Sequence, residues 1–202
     1  CNKPLIEWTI LACKQSGIKD IYVSSDSKKI LNISHKLGVK IITRPKKISG
    51  SKTSSEECWL HAIEFLKRNN LEYEIIVAPQ VTSPIRNFND IKKAISHLRK
   101  NNLDSLFSAN QGNDTLFWQK KNKSLKPLNY DHKLRLMRQE MDTNIIENGS
   151  FYIFKSKKFV ISKNRICGKF GFYLLKKWQQ FEIDDYDDFI FCQYIMRKYI
   201  IN

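Results

Sequence analysis

The sequence predicts an α/β protein of the doubly wound class, with a mostly parallel sheet covered by helices on both faces. Three observations carry that expectation. Helical patterns alternate with short strand patterns four times between residues 4 and 108. The strand patterns, such as Ile21-Tyr22-Val23, are apolar on both sides, as in strands buried between two helical layers. Finally, 202 residues of which 42% are apolar and 27% charged suffice to bury one sizeable core, so residues 1–202 are read as a single domain.

Pro4 stands at a helix-opening position, and Leu5, Trp8 and Ala12, widened by Ile6, Ile10 and Cys13, form the inward stripe of a first helix that Ser16-Gly17 stops. A buried strand over 18–24 and the polar turn Ser24-Ser25-Asp26 follow. The second helix, over 27–37, places Ile30, Ile33 and Leu37 on one face and ends at Gly38, ahead of a β-branched strand over 39–42. Past a polar loop at 43–53, Ser54 and Glu57 have capping-box spacing, and Trp59, Ala62, Ile63 and Leu66 mark one face of a third helix. An apolar strand covers 74–78. Asn89 or Asp90 caps a fourth helix, whose Ile91, Ala94, Ile95 and Leu98 recur at helical spacing, and 104–108 is the next strand. Between Ala109 and Glu147 periodicity fades and polar and basic residues dominate. That stretch is too long for an ordinary connection and is expected to be an excursion that packs on a partner or covers a site. Beyond it come a strand over 150–154, a short helix over 157–161, strands over 170–174 and 181–183, and a closing helix over 187–199.

Lys and Arg number 35 against 20 Asp and Glu, a net charge of +15 that would attract nucleic acid, anionic lipid or a polyphosphate without choosing among them. Most of the excess is scattered lysine, with no Arg-rich run and no aromatic-basic alternation, so a solvated basic face is expected and nucleic acid is not the expected partner. No run approaches the roughly 18 apolar residues of a membrane span, and the segment starting at Cys1 lacks the features of a signal peptide. The expectation is a soluble, cytoplasmic protein. Five cysteines, widely spread, argue for free buried thiols over a disulfide framework or a zinc knuckle.

In open α/β sheets ligands bind beyond the carboxyl ends of strands, which directs attention to the loops there. One reads Pro79-Gln80-Val81-Thr82-Ser83-Pro84-Ile85-Arg86, an amide, two hydroxyls and a guanidinium between stiffening prolines. It suits either a polar ligand or a plain strand-to-helix turn. Arg44-Pro45 follows another strand, and Ser54-Ser55 opens the third helix, where free N–H groups suit an anion or a base edge, or where serine simply caps. Arg135 and Arg138, beside Gln139, are suited to phosphate or carboxylate, or to a solvated edge. Glu182 and Asp184 are two apart, so on an extended strand they would face one side and could share a divalent cation; Asp187 and Asp188 suit a helix start.

Taken together, the motifs resemble the acylneuraminate cytidylyltransferase family, which includes the CMP-sialic acid synthetases. Lys3-Pro4-Leu5-Ile6 with Trp8-Thr9-Ile10, Tyr22-Val23-Ser24-Ser25-Asp26, Arg44-Pro45, Ser54-Ser55, Gln80 to Arg86, Asn148 to Phe154 and Glu182-Ile183-Asp184 match seven family motifs in order, across nearly the whole chain. The resemblance implies a nucleotide-diphospho-sugar transferase-like, Rossmann-like fold and a reaction of CTP with a nine-carbon 2-keto sugar acid. The anomeric hydroxyl would attack the α-phosphorus, giving the CMP-sugar and pyrophosphate, with Mg²⁺ as cofactor. It further implies that Arg44 and Ser55 meet the cytidine end, that Gln80 and Tyr152 meet the sugar acid, and that Arg138 meets phosphate or the sugar carboxylate. Glu182 and Asp184 would hold the metal, with Asp184 and Arg138 the catalytic pair, and 109–147 would embrace a second copy in a homodimer.

Three departures qualify the match. Val81 stands where the family has proline, and Glu182 where it has the first metal-binding aspartate. The family's opening strand and basic, glycine-containing nucleotide loop would precede Lys3-Pro4, so the chain is expected to be amino-terminally truncated and inactive by itself. Residues 129–150 lean toward a sialic or legionaminic acid rather than the eight-carbon octulosonate. The alternatives are a non-catalytic relative of the same fold and, in another class, a basic nucleic-acid-binding protein.

Overall fold

The structure, a computed structural model, describes residues 1–112, 116–122, 124–134, 136–137, 139–140 and 143–201. Pro4 caps α1 (Leu5–Gln15), and Gly17, at φ +87°, turns the chain away after it. Strands β1 (Tyr22–Ser25) and β2 (Lys40–Thr43) pair in parallel around α2 (Lys28–Lys36), whose cap is Ser27. The Ser54–Glu57 capping box opens α3 (Ser55–Arg68) as its spacing predicts. Next come β3 (Ile75–Pro79) and α4 (Phe88–Lys100). The cap of α4 is Asn87, ahead of the expected Asn89 or Asp90; its side chain accepts from the Asn89 N–H.

A four-stranded sheet runs β3-β7-β4-β8, built from β4 (Ser105–Gln111), β7 (Ile145–Lys155) and β8 (Phe170–Leu174) together with β3. It is mixed: β4 and β8 are parallel, whereas β7 runs antiparallel to both β3 and β4. The parallel expectation thus holds for β1–β2 and β4–β8 and fails at β7. That strand returns from an arm instead of a crossover helix, and nothing in the connection forces it into the common direction. The arm is shorter than 109–147, since β4 continues to Gln111 and β7 begins at Ile145; it carries a hairpin, β5 (Trp118–Lys121) with β6 (Ser124–Pro127).

Helices cover both faces of the larger sheet. On one, Ala12 and Cys13 of α1 and Ile91, Ala94 and Leu98 of α4 meet Leu106, Phe151 and Ile153. On the other, Trp59, Leu60 and Ile63 of α3 and Phe159 of α5 (Ser156–Ser162) meet Ala78, Tyr152 and Phe154, with Cys167 buried among them. A third cluster seats Cys192, Ile195 and Met196 of α6 (Tyr186–Tyr199) against Ile85 and Trp8. The smaller sheet joins through Ile10, which packs on Val23 and Val39, and through a 2.9 Å contact between the Tyr22 and Tyr73 hydroxyls. Among the described residues β1 and β2 share no ladder hydrogen bonds with the larger sheet. All five cysteines are free.

Residues 181–183, expected as a strand, pair with no sheet. A short 3-10 turn (Lys177–Gln179) precedes them, and one backbone bond, from Ile183 N–H to the Thr82 carbonyl at 2.8 Å, fastens them. No helix among the described residues is long and apolar enough to cross a membrane.

Candidate active site

Two cavities open at the edge of the sheets where β1, β2 and β3 end. The larger, of about 520 Å³, is lined by Gln80, Glu147, Asn148, Gly149, Tyr152 and Glu182, among others. The smaller, of about 270 Å³, is lined by Arg44, Ser49, Ser55, Cys58 and Trp59, among others. They adjoin across the Trp59 and Tyr152 rings, whose centroids are 6.0 Å apart. The structure brings Gln80, Tyr152 and Glu182 to one cavity and Arg44 and Ser55 to the other; Asp184 is not among the residues that line either.

The first cavity depends on an irregularity in β7. Between the pairs Phe107↔Tyr152 and Ala109↔Glu147, β4 advances two residues while β7 advances five, and the surplus bulges outward with Asn148 and Gly149. A polar network anchors the bulge: the Ser108 hydroxyl donates to Asn148 Oδ1 at 2.6 Å, and Asn148 Nδ2 donates to Asn110 Oδ1 at 2.5 Å. Gly149 lies at φ +68°, and a Cβ there would stand 3.3 Å from Gln80 Oε1 and 3.8 Å from Glu182 Oε2. Only glycine meets both the dihedral and the close approach at low cost.

Gln80 is set by β3, with its N–H bonding the Ser150 carbonyl at 3.0 Å. Arg86 does not point at a ligand, contrary to one of the two sequence expectations. It is 3% exposed and turned inward, donating from Nε to Ser150 Oγ at 3.2 Å and from Nη2 to the carbonyls of Gln80 at 2.8 Å and Ser150 at 2.5 Å. No acidic side chain pairs with it among the described residues, Nη1 has no partner, and burial lowers its pKa to about 10. It ties the loop after β3 to the bulge of β7.

Tyr152 projects into the same cavity and donates its hydroxyl to Glu147 Oε1 at 2.5 Å. Burial, reinforced by that carboxylate, pushes the phenol up to about 12, so it stays protonated and a donor at neutral pH. The Glu182 carboxyl is raised above the ordinary range, first by burial and then by the charges of Asp184 and Asp188. Asp184 itself is exposed, and its N–H bonds Asp188 Oδ2 at 3.1 Å. The sheet strand expected to present both carboxylates to one side is not formed, since residues 181–183 join no sheet. A half-buried carboxyl crowded by like charge is a fitting environment for a cation. Among the described residues no three His, Cys, Asp or Glu side chains gather to hold one, so two carboxylates would leave the remaining positions to phosphate oxygens and water, a common way of holding Mg²⁺.

In the smaller cavity Arg44 follows β2 and bonds Ser49 Oγ at 3.2 Å through Nε, with Nη2 3.7 Å from Asp26 beyond β1. Ser55 begins α3, one residue past the capping serine, which leaves its hydroxyl free of the capping role. Arg135 and Arg138, the latter a predicted catalytic residue, lie outside the described residues.

A family model described as Cytidylyltransferase matches residues 1–189. The chain belongs to the cytidylyltransferase family. Among its relatives, an N-acylneuraminate cytidylyltransferase A from Danio rerio is 29% identical over 90% of this chain and 42% of its own length. A pseudaminic acid cytidylyltransferase from Campylobacter jejuni is 29% identical over 82% of this chain and 79% of its own. The chain thus spans less than half of the fish relative and most of the bacterial one. A solved CMP:2-keto-3-deoxy-manno-octonic acid synthetase complexed with CTP shares the fold, with a TM-score of 0.67 and 12% identity over 98% of this chain and 89% of that one.

Four residues at these two cavities were not singled out as site residues in the sequence. Glu147 falls at the end of the stretch expected to be an excursion but lies in β7, Trp59 reads only as helix core, and Glu56 and Arg165 belong to no motif. Arg165 bonds Glu56 through Nε and Nη2 at 2.5 and 2.9 Å, and its guanidinium lies 5.0 Å from the Trp59 ring and 4.5 Å from that of Tyr152.

Proposed function

We propose that this cytidylyltransferase transfers CMP from CTP to a nine-carbon 2-keto sugar acid of the sialic, legionaminic or pseudaminic kind, releasing pyrophosphate. The observation that carries the reading is the pair of adjoining cavities: one presents Arg44 and Ser55, suited to a nucleotide, and the other Gln80, Tyr152 and Glu182, suited to a polyhydroxy acid. The names of the relatives support the substrate class.

In this reading the cytidine end lies against Arg44 and Ser55, and Gln80 and the Tyr152 side of the first cavity orient the sugar acid. Its anomeric oxygen forms a bond to the α-phosphorus as the bond to the β-phosphate's bridging oxygen breaks, and pyrophosphate departs with that electron pair while the hydroxyl proton is lost to solvent. Glu182 and Asp184 would hold Mg²⁺, which supplies neutralisation of phosphate charge when bound. Arg138 is assigned to phosphate or the sugar carboxylate. Positioning and charge complementarity are the main contributions of the protein. The arm is assigned to a second copy in a homodimer, in keeping with its exposed Phe117, Trp118, Leu125 and Leu128.

The test is pyrophosphate release by the full-length protein with CTP, Mg²⁺ and a panel of nonulosonic acids. Release with at least one acid is expected, and Asp184→Asn is expected to lower kcat/KM by about a hundredfold. No release with any acid would remove the reading.

A further inference from the structure

Arg165 is fixed at both ends. Its backbone belongs to the loop between α5 and β8, where the Ser105 hydroxyl donates to the Cys167 carbonyl and accepts from the Cys167 N–H, both at 2.8 Å, and where Asn164 Oδ1 accepts from the Ile166 N–H at 2.9 Å. Its guanidinium is held by both oxygens of Glu56, in the first turn of the helix that begins with Ser55. Between these anchors it lies against two aromatic rings, Trp59 of the smaller cavity and Tyr152 of the larger. A planar cation can stack and form a two-pronged carboxylate bond at once, which an ammonium cannot.

We propose that Arg165 is a positioning residue that fixes the Tyr152 ring, and through it the Tyr152–Glu147 hydrogen bond, relative to the helix start that lines the neighbouring cavity. One guanidinium therefore sets the spacing between the two halves of the site. The consequence for substrate use rests on the functional reading above; the geometric part does not.

In the full-length protein, Arg165→Met is expected to raise KM for the sugar acid about tenfold, with a smaller change for CTP. Arg165→Lys, which keeps the charge but not the flat stacking, is expected to fall between wild type and Arg165→Met. Because both act through one hydroxyl, Arg165→Met combined with Tyr152→Phe is expected to be no worse than the more damaging single variant. An unchanged sugar-acid KM, or effects that multiply in the double variant, would overturn the proposal. Should Arg165→Met fail to fold, Arg165→Lys decides by the same criterion. A ligand-free measurement separates this idea from the functional one: the hydrogen-bonded Tyr152 hydroxyl proton is expected in the NMR spectrum of wild type and absent in Arg165→Met. Its retention overturns the positioning role whether or not an acid substrate is found.

Discussion

Gly149 shows how much of this site depends on one missing side chain. Its left-handed dihedral and its approach to Gln80 both resist a Cβ. Gly149→Ala is expected to raise the sugar-acid KM by about tenfold while leaving CTP binding near wild type, since the strain falls on the first cavity alone; titration of each ligand by calorimetry would check it. Motif positions singled out Gln80, Tyr152 and Glu182, which line one cavity, because residue types and their order are local information. Arg165 and Glu56 were not, being 109 positions apart and brought together only by folding. The inward turn of Arg86 was equally hidden, because a guanidinium in a polar loop reads the same whether it faces a ligand or the core.

Elements were easier to foresee than their directions. Periodicity and capping spacing located the six helices found among the described residues, and the Ser54–Glu57 box formed with both its bonds. Ser54→Ala is expected to cost about 1 kcal/mol in a urea unfolding series by orphaning the Glu57 N–H. The same change is expected to raise the CTP KM, because Ser55 and Glu56 follow directly in the loosened turn. Strand direction was not legible at β7, since apolar content says where a strand is buried and not which way it runs. The bulge that builds the larger cavity was invisible for a related reason: it arises from register against β4, a property of two strands and not of either alone.

At the scale of the whole molecule, the buried thiols fall one to a layer. Cys13 lies between α1 and α4, Cys167 with α3 and α5, and Cys192 on the inner face of α6. Burial pushes the Cys13 thiol up and the Cys192 thiol up to about 11, so these two resist alkylation at mildly alkaline pH while the structure is closed. Helix α6 leaves Tyr186, Ile190 and Tyr194 exposed and should open most readily. In timed alkylation read by peptide mass spectrometry, Cys1 and Cys58 are expected to react first, then Cys192, with Cys13 last. Equal rates for the three buried thiols would mean that the layers come apart as a single unit. Each sulfur is in effect a stopwatch sealed into one compartment, and the chain carries, without any engineering, the means to time its own disassembly.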